Sequence, residues 1–283
     1  MNIINAIINL VNNPVVKVAT EYKNKNRANS AGDALEEYVK DLFAGTFDTV
    51  KEKRIQKWNQ VFSYLGGSNS PPDAMLKKGD AIEVKKIESD SQIALNSSYP
   101  KHKLYCDDSK ITKKCKEAED WKEKDIIYVI GIVKNGVLEN LCMVYGLDYC
   151  ASKDCYEGLL NRIKDETNVV PDVDFCSTKE IAHINNVDPL KITYMRVRGM
   201  WGIENPWKVF DYVYTRDANA EFNFMCIINE DKWKTFKNTK EIENLSHSDK
   251  ELKIIDVKIQ DPDNPANLNN AKLITFTKRG DKE

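Results

Sequence analysis

Apolar side chains in this chain switch between a spacing near 3.6 residues and a spacing of 2, and the switches mark out its elements. Paired isoleucines between asparagines from Ile3 to Leu10 predict a short amphipathic helix stopped near Pro14. A second helix is predicted to start at Ser30, a good N-cap, with Asp33 three residues on in a capping-box-like pattern. Leu35, Val39, Leu42 and Phe43 recur on one face of it, and Gly45 is its C-terminal stop. Helical spacing also runs from Ser109 to Lys124 (Ile111, Cys115, Ala118, Trp121) and from Asp154 to Lys164.

The spacing of 2 predicts strands. Val61–Leu65 leads through Gly66-Gly67 to a hairpin, Asp73–Leu76 and Asp80–Ile87, turned at Lys77-Lys78-Gly79. A near-continuous apolar run, Ile126–Val133, predicts a central strand buried on both faces, and Asn135-Gly136 is a strong turn signal before Leu141–Tyr145. Further strands are predicted at Lys191–Val197, Val209–Tyr214, Phe222–Ile228, Leu252–Ile259 and Ala271–Thr277. The order helix, strand, hairpin, helix, strand is that of a mixed α/β core with a β-rich C-terminal extension. No repeat and no Gly/Ser linker divides it, so residues 1–150 and 151–283 are read as two parts of one continuous unit.

Composition narrows the classes. With 283 residues, 41% hydrophobic and 9% aromatic, the chain has ample material for a core. No apolar run approaches the roughly 20 residues of a membrane helix. The apolar start lacks a basic segment and a clear cleavage site, so no signal peptide is expected. Seven cysteines without a Cys-x-x-Cys point away from a disulfide framework or zinc site and fit a reducing cytoplasm. A net charge of −2 does not advertise a nucleic-acid binder, but a local basic surface around an acidic metal site is compatible with it.

The Ser70–Glu88 hairpin carries the candidate chemistry. Glu83 and Lys85, two apart on a strand, share a face, while Ile82 and Val84 point to the core. A three-residue loop ending in a left-handed Gly79 pairs Leu76 with Asp80 and sets Asp73 opposite Glu83; a two-residue loop would send Asp73 to the other face. Two carboxylates and an ammonium on one patch suit metal-dependent phosphodiester cleavage: the carboxylates hold Mg2+, and Lys85 orients or deprotonates the attacking water. In a chain with 30% charged residues the pattern also arises by chance.

Other residues draw meaning from that site. Glu36 or Glu37, mid-helix, is either a further metal ligand or part of a solvated face. The basic segment with Lys23, Lys25 and Arg27, and the cluster Lys51, Lys53, Arg54 and Lys57, are phosphate contacts or plain surface. The polar stretch holding Asn96, Ser97, Ser98, Lys101 and Lys103 either contacts phosphates or base edges or is a plain surface loop. Arg196 and Arg198 share a strand face, either as guanine readers or as partners of surface carboxylates. No Gly-x-Ser-x-Gly and no Gly-x-x-x-x-Gly-Lys-Ser/Thr occurs, which argues against a serine hydrolase and against ATP dependence.

Asp73…Glu83-x-Lys85 on a hairpin behind an acidic helix resembles the PD-(D/E)xK nuclease core. Four stretches resemble, more narrowly, the NgoPII-like type II restriction endonucleases: Ile-Ile-Asn-Leu-Val-Asn-Asn-Pro near the start, Asn29-Ser-Ala-Gly-Asp-Ala-Leu-Glu-Glu-Tyr-Val-Lys-Asp-Leu-Phe, Asp80-Ala-Ile-Glu-Val-Lys-Lys-Ile-Glu and Ala94-Leu-Asn-Ser-Ser-x-Pro-Lys. The similarity is specific through about residue 150 and vaguer afterwards. It implies a Mg2+-dependent endonuclease that cuts double-stranded DNA at a short palindrome, GGCC in that family, leaving 5′-phosphates. It implies Asp73, Glu83 and Lys85 as catalytic, with Glu36 of Gly32-x-x-x-Glu36 assisting the metal site. It further implies a homodimer matching the DNA's two-fold axis, a cognate DNA methyltransferase as functional partner, and a cytoplasmic location. A repair nuclease of the same fold, or an inactive DNA-binding module, are the alternatives. Residues 151–283 would then serve DNA recognition and dimerisation.

Overall fold

The computed structural model describes residues 1–24, 30–67, 70–167, 174–176 and 180–280. Lys25 and Arg27 of the basic N-terminal segment lie outside them. In chain order, helices α1 (Ile3–Asn12), α2 (Val18–Asn24), α3 (Ala31–Ala44) and α4 (Lys51–Val61) precede strands β1 (Phe62–Leu65), β2 (Ala74–Leu76) and β3 (Ala81–Ile87). Short strands β4 (Ile93–Asn96) and β5 (Lys103–Tyr105) and a turn of helix, α5 (Lys113–Lys116), lead to the long hairpin β6 (Glu123–Lys134) and β7 (Val137–Tyr145). There follow α6 (Gly146–Tyr149), α7 (Lys153–Thr167), β8 (Asp174–Phe175), β9 (Ala182–Asn185), β10 (Met195–Val197), β11 (Trp201–Ile203) and α8 (Pro206–Val209). The chain closes with β12 (Phe222–Asn229), α9 (Glu230–Thr235), α10 (Thr239–Ser248), β13 (Leu252–Gln260) and β14 (Leu268–Lys278).

A nine-stranded mixed sheet forms the centre, ordered β1-β2-β3-β6-β7-β12-β14-β13, with β5 beside one end of β6. Its parallel pairs are β3 with β6 and β7 with β12. Strands β12, β13 and β14 of the second half thus extend the sheet begun by the first, whereas β8, β9 and β10 pair among themselves and β11 pairs with β4. Alternation along β6 explains its apolar run: Ile127, Val129 and Val133 face the core beneath α1 and α3, and Ile126, Ile130 and Ile132 face a second core. Each side chain removed from water there contributes about 1.5–3 kcal/mol, so this strand anchors the sheet. No helix among the described residues is long and apolar enough to cross a membrane.

Local signals for the first helices are realised. Ser30 accepts from the Asp33 N–H and Asp33 answers to the Ser30 N–H; Gly45 ends α3 at φ 62°. Asn135 and Gly136 turn the β6–β7 hairpin at φ 51° and 81°, the two positive values that a tight hairpin turn demands.

Three expectations are corrected. The helix expected over Ser109–Lys124 shrinks to α5, because Lys103–Tyr105 pairs with residues 123–125 and claims their backbone groups for a ladder. Residues 209–214 form a helical turn and not a strand. Asn205 caps α8, which has Pro206 in its first turn and ends at Val209, and beyond it the Val213 and Tyr214 N–H groups both donate to the Phe210 carbonyl. The apolar pairs 209/210 and 213/214 are four apart, which is helical spacing. The strand expected over Lys191–Val197 survives only as β10.

Candidate active site

The β2–β3 hairpin has the register that unites the carboxylates. Ala74 pairs with Ile82 and Met75 with Ala81, which puts Asp73 across from Glu83. The left-handed residue is Lys78 (φ 53°) and not Gly79; the Glu119 carboxylate takes the Lys78 N–H at 2.9 Å and holds the turn. The turn is a loop of three residues, since the Leu76 N–H donates to the Asp80 carbonyl at 2.9 Å.

Asp73, Glu83 and Lys85 line one small pocket, together with Asn96, Ser97 and Ser98. Glu83 is 7% exposed. Asp73 Oδ2 accepts from the Val84 N–H at 2.6 Å, and the Lys85 ammonium donates to Glu83 Oε1 at 2.6 Å. Glu83 Oε2 is buried with no hydrogen bond. Burial first, then the Asp73 charge, pushes the Glu83 carboxyl up to about 7, against the pull of Lys85. Burial raises Asp73 as well, opposed by the Val84 N–H and Lys85. For Lys85, burial works downward, but Glu83 and then Asp73 outweigh it, so the ammonium is held above its usual value. Two desolvated carboxylates and an oxygen without a donor are a site short of positive charge, the condition in which a hard cation binds.

Glu36, on α3, stands at the edge of this pair. Burial and the Asp73 charge raise its carboxyl, and Lys40 lies 3.9 Å away. Among the described residues no three acidic, cysteine or histidine side chains converge as a ready metal cage. Asp73 and Glu83 with water suit Mg2+, which commonly takes one or two carboxylates and keeps several waters.

The remaining candidates divide. Ser97, Ser98 and Lys101 line both this pocket and an adjoining cavity of about 570 Å3, whose wall also includes Lys103 and Arg198. Lys103 is paired with Glu123 at 2.7 Å. Arg196 and Arg198 both hold Glu180, Arg196 through Nε at 2.7 Å and Nη2 at 2.5 Å, Arg198 through Nε at 2.5 Å. Of the basic cluster, Arg54 is buried on Asp41 and Glu37 and is not a surface group. Tyr128 was not legible as part of the site: it is one more apolar position in β6, yet it lines the pocket and pairs in register with Glu83.

The family model for NgoPII restriction endonucleases matches residues 1–260. The chain belongs to the NgoPII restriction endonuclease family. It is 59% identical, over 98% of its length and 99% of the relative's, to the type II restriction enzyme NgoPII of Neisseria gonorrhoeae. The family-model match runs through the hairpin, the arginine pair and β13 and stops before β14. No solved structure matches the chain.

Proposed function

We propose that this protein is a type II restriction endonuclease that hydrolyses phosphodiester bonds in double-stranded DNA at a short palindrome, GGCC, through a PD-(D/E)xK site. The observation that carries the reading is half-buried Asp73 beside buried Glu83, with Lys85 on the same face and Glu83 Oε2 left without a donor. Family membership supports it. Asp73 and Glu83 would hold Mg2+, with Glu36 assisting. A divalent ion there supplies positive charge against the phosphate and makes nearby water more acidic. Lys85 carries its proton at neutral pH, so it orients the attacking water or the phosphate; to act as base it must first lose that proton. Water adds to phosphorus, the bond to the 3′ oxygen breaks, and the products are a 3′-hydroxyl and a 5′-phosphate.

Asn96, Ser97, Ser98, Lys101 and Lys103 contact the DNA beside the cut, and Arg196 and Arg198 read guanine after leaving Glu180. Residues 151–283 contribute recognition and dimerisation, giving two active sites on the palindrome's two-fold axis. The enzyme acts in the cytoplasm beside a DNA methyltransferase that protects the host's own sites. Cleavage is expected to require added Mg2+ and to stop with a chelator. Glu83→Gln is expected to raise the Mg2+ needed for half-maximal rate by roughly 10-fold or more. Cutting by chelated, metal-free protein would contradict the assignment.

A further inference from the structure

Lys101 stands at the junction of the candidate active-site pocket and the 570 Å3 cavity, in the wall of both. It is 4% exposed, a burial that lysine seldom tolerates without a partner. The surrounding structure fixes its backbone. The Lys101 N–H donates to the Tyr128 hydroxyl at 2.6 Å, and Tyr128 is the register partner of Glu83. Gly146 packs so closely that a Cβ there would lie 2.2 Å from the Lys101 carbonyl oxygen. The ammonium itself is under-used. It is salt-bridged to Asp108 Oδ2 at 2.6 Å and lies 3.6 Å from the centre of the Tyr99 ring, one carboxylate and one ring face for three donors. A buried ammonium whose three donors meet a single carboxylate keeps capacity for a second anion, and an anionic ligand in the cavity would take it up.

We propose that Lys101 is a phosphate clamp. On binding, its ammonium leaves Asp108 for a non-bridging oxygen of a DNA phosphate next to the scissile one, so the cut strand runs from the Asp73–Glu83 pocket into the cavity. Asp108 is not stranded by the exchange, because its Oδ1 already accepts the Lys110 N–H at 2.8 Å. The inference rests on the nuclease reading of the adjoining pocket.

The test uses duplexes that each carry one neutral methylphosphonate, moved stepwise across the cleavage site. Single-turnover cleavage and binding are measured for the full-length wild type, Lys101→Met and Asp108→Asn. At one position the neutral phosphate is expected to slow the wild type about tenfold or more. Lys101→Met is expected to show the same loss on unmodified DNA, and the two changes together to cost no more than either alone. Asp108→Asn, which frees the lysine, is expected to bind unmodified DNA several-fold tighter and to lose more from the neutral phosphate at that position. Losses that multiply at every position for Lys101→Met would overturn the clamp. Where Lys101→Met does not fold, an unchanged penalty at every position in Asp108→Asn overturns it instead. Wild type that cuts, with multiplicative losses, sinks this inference alone; wild type that cuts nothing sinks the nuclease reading beneath it.

Discussion

Asp73→Asn is expected to slow DNA cleavage by roughly 10³-fold or more while leaving DNA binding within a few-fold of wild type. The amide loses the charge that would hold the cation, yet its oxygen can still accept the Val84 N–H that Asp73 takes at 2.6 Å. The fold should gain. Asp73 and Glu83 are both raised by burial, and the Asp73 charge adds to the shift on Glu83. A carboxyl raised on folding holds its proton more tightly in the native state, so its contribution to stability falls as pH climbs from the ordinary carboxylate range toward the raised value. At neutral pH in chelator, the variant should therefore melt at a higher temperature than wild type. Cleavage time courses and paired melting curves check both halves. A variant that cuts at the wild-type rate contradicts the catalytic role, and one that melts lower contradicts the electrostatic account.

Arg54→Met is expected to destabilise the fold by about 3–5 kcal/mol, the cost of stripping the partner from a buried charge. Asp41 is fully buried on α3; its carboxylate accepts from Arg54 Nε at 2.9 Å and from Tyr22 at 2.8 Å, and also from the Thr46 hydroxyl. Arg54 further reaches Glu37 at 2.8 Å and covers the Trp58 ring at 4.0 Å. The network ties α4 to α3, and α3 carries Glu36 to the edge of the site. Lys57→Met, on the exposed side of the same helix, should change stability by no more than about 0.5 kcal/mol. Urea midpoints of the two variants measure the contrast, and equal midpoints would refute it.

The parts of the fold legible in the sequence are those decided within a few residues. The Ser30–Asp33 capping box, the Gly45 stop and the Asn135-Gly136 turn are local chemistry, and the structure realises each of them. The hairpin register was legible for the same reason: a three-residue loop fixes the pairing from Leu76–Asp80 outward, and Asp73, Glu83 and Lys85 share a pocket because of it. Three misreadings were decided by distant partners. The helix expected over Ser109–Lys124 gave way because β5, twenty residues back, claimed residues 123–125. Arg54 sat in a run of lysines and read as a phosphate contact or plain surface; only α3, packed alongside, reveals the carboxylates that bury it. Tyr128 entered the site through parallel pairing of β3 with β6, a contact between segments some 45 residues apart for which a single strand carries no signal.

Digestion of a sequenced plasmid with purified protein and Mg2+, beside Asp73→Ala, with the fragment ends sequenced, tests the central claim most directly. The account predicts discrete fragments whose 5′-phosphorylated ends all fall at GGCC, and none with the variant. A smear, cuts at unrelated sequences, or the same fragments from Asp73→Ala would contradict it.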